Sequence, residues 1–128
     1  MRFLIALLCV ALLLTTRTAD ARPPTTHDTA TMIYHYAAVY GVEAGDLLRL
    51  AQCESRLQPY PRDGSAGEVG PFQFHPRGLW RSTPWAAYGF NALRDPELNV
   101  RAAAWAIANG YGPHWSCWAI RYNYDWRP

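Results

Sequence analysis

The segment Ala44-Gly45-Asp46-Leu47-Leu48-Arg49-Leu50-Ala51-Gln52-Cys53-Glu54-Ser55 decides the fold. Leu47, Leu50 and Ala51 fall at i, i+3 and i+4, and Glu54 takes the i+7 position of the same stripe. The spacing predicts a helix over 44–55 with an acid at the end of its core-facing side. A carboxylate placed there loses water, and desolvation disfavours its charged form, so its pKa should rise. A carboxyl that keeps its proton near neutral pH is what a general acid needs. A Pro/Gly loop follows, then Gly70-Pro71-Phe72-Gln73. A helix-end Glu followed by a glycine-rich segment bearing a Gln points to glycoside cleavage. The competing reading of Glu54 is a half-exposed acid paired with Arg49 or Arg56.

Toward the N-terminus, Ile33, Tyr36, Ala37 and Tyr40 repeat at helical spacing. A helix is expected from Asp28 or Thr29 to Tyr40, with Gly41 as its stop. Beyond Ser55, Gln58–Pro71 is rich in Pro and Gly and should form turns or a short hairpin. Phe72–Trp80 reads as a short helix interrupted by Pro76, and Arg81–Arg94 as an irregular, aromatic-bearing connection. Asp95-Pro96-Glu97 opens another helix, with Pro in the first turn and acid beside it. Along that helix Val100, Ala103, Ala104 and Ile107 make an apolar stripe, and Asn109-Gly110 ends it. The fold class is therefore mainly α: one small helical domain with a short loop or β portion beside the helix that carries Glu54.

The 128 residues leave room for one domain. Met1-Arg2, the apolar run Phe3–Leu14 and the small residues of Ala19-Asp20-Ala21 read as a secretory signal over 1–21, cleaved after Ala21. The run is shorter than the ~20 residues of a membrane-spanning helix; an uncleaved anchor is the alternative. Residues 22–28 would be a flexible leader and 29–128 the domain, secreted or periplasmic, monomeric and not stably inserted in a membrane. The formal charge is +2 and there is no Lys, so no basic run suggests nucleic acid. If Cys9 leaves with the signal, Cys53 and Cys117 remain. In an exported chain they most simply form one disulfide, closing a loop of about 65 residues worth ~4 kcal/mol; two free buried thiols are the alternative. His27, His35, His75 and His114 lack ligand spacing, so neither a metal nor another cofactor is expected. Six Trp and eight Tyr are dense for this length. Such rings stack on sugars, but they also fill cores.

Tyr40-Gly41-Val42-Glu43, Leu47-Leu48 and Ala51-Gln52-Cys53-Glu54-Ser55 resemble the opening of the soluble lytic transglycosylase domain of the lysozyme-like superfamily. So do Gln58-Pro59, the segment Gly67-Glu68-Val69-Gly70-Pro71-Phe72-Gln73, and Asp95-Pro96-Glu97-Leu98-Asn99-Val100. The matches run from about Tyr34 to Trp118. Cys53-Glu54-Ser55 and Gly110-Tyr111-Gly112-Pro113-His114-Trp115-Ser116-Cys117 are also similar to the resuscitation-promoting factors, where a Cys before the catalytic Glu pairs with one near the domain's end. One departure stands out. The transglycosylases' late Tyr-Asn pair is replaced at its place by Ala108-Asn109-Gly110-Tyr111, and Tyr122-Asn123 comes only beyond Cys117.

The resemblance implies an α+β lysozyme-like fold acting on peptidoglycan glycan strands. Glu54 would be general acid and base at the β-1,4 bond between N-acetylmuramic acid and N-acetylglucosamine. Ser55, Gly70, Gln73 and Tyr111 are the expected glycan contacts, although Ser55 can equally bond nearby backbone and Gln73 can brace its loop. A second carboxylate could come only from Asp63 or Glu68. Without one, the substrate's N-acetyl group would stabilise the cation and the product would be a 1,6-anhydromuramyl end. With water as nucleophile the enzyme would be a lysozyme-type hydrolase. A glycan-binding protein without catalysis would not need an acid at position 54.

Overall fold

The computed structural model describes residues 22–126. The apolar run Phe3–Leu14 and the expected cleavage after Ala21 lie outside the described residues. Three α-helices build the domain: α1 (Thr26–Tyr40), α2 (Ala44–Ser55) and α3 (Pro96–Ala108). The mainly α expectation holds. Helix α1 starts at Thr26 rather than at Asp28 or Thr29, because Thr25 is the cap. Its hydroxyl accepts from the Asp28 N–H, and the Asp28 carboxylate accepts from the Thr25 N–H, a reciprocal capping box. Arg22 donates to the same carboxylate at 2.8 Å, so residues 26–28 belong to the helix and not to a leader. Gly41, at φ 67°, ends α1 in a left-handed turn.

Helix α3 starts as expected, with the Asp95 side chain accepting from the Leu98 N–H at 2.8 Å and Pro96 in the first turn. Val100, Ala103 and Ala104 are fully buried and Ile107 partly so; Ala102 and Ala106 are buried too. These small side chains let α1 lie close against α3. Tyr36 of α1 donates to Glu97 of α3 at 2.7 Å, tying the two helices at the rim of their contact. The core between the helices joins Ile33, Leu47, Leu48 and Leu50 to Phe72, Phe74 and Val69 from the connecting segment.

That segment, between Ser55 and Asp95, departs from expectation. In place of a hairpin within 58–71, one isolated antiparallel bridge pairs Val69 with Phe74 across the turn at Gly70–Gln73. No short helix forms at Phe72. Pro76 forbids the required N–H bond, and the next helical piece is the 3-10 turn Leu79–Ser82. Two more 3-10 turns, Ala86–Tyr88 and Phe90–Arg94, lead into α3.

The bridge region is tied to α3 by one side chain. Asn99, fully buried, accepts from the Phe72 N–H at 2.9 Å and donates to the Val69 and Leu93 carbonyls at 3.1 and 2.9 Å. Buried backbone groups need partners, and here no strand supplies them. Gly70 lies under that amide at φ 75°; a Cβ there would collide with Asn99.

Candidate active site

The stripe read from α2 is a buried stripe: Leu47, Leu50 and Ala51 are fully buried, and Glu54 follows at the helix's last turn, partly buried. Its carboxyl is pushed up to about 7, chiefly by burial. A backbone hydrogen bond from Cys117 pulls the other way, and the charge of Glu68 raises it further. Among the described residues no Arg pairs with it. Arg49 lies 5.3 Å from the ring centre of Tyr122, and exposed Arg56 caps the helix at φ 57° over a different hollow. Cys53 and Cys117 are bonded, with Cα atoms 6.1 Å apart, so free thiols are excluded. The bridge holds the segment that bonds to Glu54 against the helix that carries it.

Glu54 faces a cleft of about 530 Å³. The helix side of the cleft adds His114, Trp115 and Ser116; the loop side supplies Gly64, Ser65, Glu68, Gln73, His75 and Leu79. Trp115 joins the two sides. Its indole N–H donates to the Phe72 carbonyl at 2.7 Å, and its ring meets Phe74 edge-on at 5.3 Å. Gln73 holds a left-handed conformation at φ 47° and donates to the Gly70 carbonyl at 3.0 Å. A non-glycine residue kept there stores strain of roughly 1–3 kcal/mol, as residues at binding sites often do. His75 accepts at Nδ1 from the Arg77 N–H at 3.1 Å, which leaves Nε2 as the N–H donor of the neutral ring.

With Glu54 at a helix end beside a glycine-rich loop, residues 31–124 match the pattern of the transglycosylase SLT domain family. The chain belongs to that family. No curated protein and no solved structure matches it. The SLT assignment makes peptidoglycan the substrate class and transglycosylase-type cleavage of its glycan strands the general activity, in the cell envelope. No helix among the described residues is long and apolar enough to cross a membrane.

Of the residues expected to line this SLT cleft, the structure brings Glu54 and Gln73 together. Ser55, Gly70 and Tyr111 lie outside its lining. The Ser55 hydroxyl donates back to the Ala51 carbonyl at 3.2 Å. Gly70 is packed beneath Asn99, and its small hollow is shared with Asp63 and Arg94. Tyr111 stacks on Trp105 at 5.8 Å and meets His114 edge-on at 5.4 Å, so it backs a cleft residue instead of facing the cleft. The two candidate second acids separate as well. Asp63 is taken by Arg94 at 2.7 Å, whereas Glu68 lines the cleft. Tyr122 stands against α2 between Arg49 and Arg121, away from the cleft.

Sequence reading missed Trp115, His75 and His114 as cleft residues and Asn99 as the clamp behind it. Asn99 had a signal: it falls at i of an Asn99, Ala103, Ala106 spacing, a polar residue on a second buried stripe. His75 and the adjacent pair His114-Trp115 come from two segments far apart in sequence, where no periodicity could relate them.

Proposed function

We propose that this SLT domain cleaves the β-1,4 bond between N-acetylmuramic acid and N-acetylglucosamine, with Glu54 as general acid and then base. The observation that carries the reading is a partly buried carboxyl at the cleft, unpaired with any Arg among the described residues and raised to about 7. At neutral pH a large fraction of such a group keeps its proton, and general acids work best when their pKa lies near the working pH.

In the first step the Glu54 proton passes to the glycosidic oxygen while the C1–O bond breaks and its electron pair leaves with that oxygen. The muramyl C1 becomes oxocarbenium-like. In the second step the C6 hydroxyl oxygen bonds to C1 and its proton returns to Glu54, giving a 1,6-anhydromuramyl end. Gln73, which lines the same cleft, would bind a sugar amide or hydroxyl. The chain would act outside the cytoplasm after losing residues 1–21, as a monomer, with glycan strands as partner. The second reading is a hydrolase, in which water replaces the C6 hydroxyl; the presence of Glu68 in the cleft favours it.

Mass spectrometry of muropeptides released from purified sacculi tests both. Anhydro products lighter than their hydrolytic counterparts by one water support the lytic reaction. Reducing ends carrying labelled water oxygen, as the sole product, replace it with hydrolysis. No release at all refutes the function.

A further inference from the structure

Glu68 is built into the cleft in a way that the single-acid mechanism does not require. Its main-chain carbonyl accepts from the Gly64 N–H at 2.8 Å, and Gly67 donates back to the Gly64 carbonyl at 2.9 Å. The side chain then curls over the same turn, where Oε2 accepts from the Ala66 N–H at 2.9 Å. A Cβ on Gly64 would collide with this carboxylate and come within 3.0 Å of Gln73 Oε1. The missing side chain at Gly64 is what lets an acid and an amide lie side by side on the loop face of the cleft. Oε1 of Glu68 accepts no hydrogen bond among the described residues. Nor does Glu68 have a cationic partner, whereas Asp28, Asp46 and Asp63 each have an Arg.

Two carboxyls therefore share one water-accessible cleft, one on α2 and one pinned to the loop. A protein gains nothing in stability from placing an uncompensated anion beside a buried acid, since like charges repel. The arrangement does suit a glycan whose anomeric carbon turns cationic as its bond breaks. A fixed negative charge aimed where positive charge develops costs no reorganisation at the moment of reaction. We propose that Glu68 is a second functional carboxylate of the cleft, stabilising the cationic sugar formed when Glu54 protonates the leaving oxygen. This rests on the reading of Glu54 given above. The other ionisable groups lining the cleft are His75 and His114; Arg49 lies over the Tyr122 ring, and Arg56, at the end of α2, lines a different hollow.

The test compares kcat and KM across pH for the wild type, Glu68→Gln, Glu68→Asp and Glu54→Gln on a defined peptidoglycan oligosaccharide. Gln keeps an oxygen to accept from Ala66, so a residue that only braced its loop would tolerate it. Glu68→Gln is expected to lower kcat by about 100-fold with KM within about twofold, the scale of losing one preorganised electrostatic group. Loss of its charge should also shift the basic limb of the profile to lower pH, because Glu54 then gives up its proton more easily. Glu68→Asp should recover part of the rate. A Glu68→Gln enzyme with wild-type kcat and an unmoved basic limb overturns the inference, and so does loss of folding in both Glu68 variants. Activity retained in Glu54→Gln overturns the underlying reading instead, so the two failures are distinguishable.

Discussion

On one side of the cleft, Glu54 rides on α2, whose Leu47, Leu48 and Leu50 are fully buried among neighbouring helices. On the other, Glu68, Gln73 and His75 ride on a segment with no α-helix and one isolated bridge. The helix side is fixed by burial of the apolar stripe Leu47, Leu50 and Ala51 and by a disulfide. The loop side is fixed by few and specific bonds: Asn99 to three backbone groups and Trp115 to one. The acid whose pKa is raised sits on the part that many weak contacts define. The groups that would meet substrate sit on the part that a few polar bonds define. Such a loop can be reshaped by single substitutions without disturbing the helix opposite.

The comparison can be broken most completely at Glu54. Glu54→Gln should reduce muropeptide release by at least about 10³-fold, within the range general acids supply together with positioning, while circular dichroism stays unchanged. Substantial residual activity would remove the helix side from the chemistry. The disulfide comes next. Replacing Cys53 and Cys117 by Ser should cost about 4 kcal/mol of stability in the chain-entropy picture for a loop of this length, read as a shifted denaturation midpoint. Because Cys117 also bonds to Glu54, activity under conditions where the variant remains folded should fall too.

Asn99→Ala attacks the other side. It leaves the Phe72 N–H and the Val69 and Leu93 carbonyls without their buried partner, a loss of roughly 3 kcal/mol. Hydrogen exchange should show the loosening concentrated at 69–74, with α2 still protected; uniform loss of protection would mean that the two sides do not differ as described.

A smaller effect follows from the pKa of Glu54 itself. Its folded-state value, about 7, lies above the unfolded value of 4.5. Stability associated with the neutral carboxyl is thus fully present below pH 4.5 and is lost as pH rises through about 7. Glu54→Gln removes that penalty. The variant should match the wild type at pH 4 and exceed it by about 2 kcal/mol at pH 8. Equal stability at both pH values would place Glu54 in water. Least affected should be Arg94→Ala, which breaks an exposed ion pair with Asp63 outside the cleft. Its melting temperature and activity are expected to stay within experimental scatter.

These two sides also differ in how far the sequence reveals them. Helix α2 was readable to its ends, 44–55, because burial imposes a period that survives in one stretch of chain. Cys53 and Cys117 were readable because pairing needs only their chemistry. The start of α1 was misplaced because Thr25 and Asp28 act as a pair, and either residue alone is also a fair cap. The loop side was not legible beyond its Gly and Pro content. Its conformation depends on Asn99, 27 residues beyond Phe72, and on Trp115, 43 residues beyond it. No local pattern encodes such partners. Ser55, Gly70 and Tyr111 were expected at the substrate for their position in a motif, yet none of the three lines the cleft.

The bond between Cys53 and Cys117 closes a covalent ring that contains the whole loop side, α3 and the His114–Ser116 segment. Exposed Arg62, Arg77 and Arg81 lie on that ring, in backbone with little regular structure to shield it. A protease that cuts once at any of them linearises the ring but releases no fragment. Both halves of the cleft stay joined through the sulfurs and through Asn99 and Trp115. A single nick in the ring therefore leaves the two sides of the cleft covalently connected.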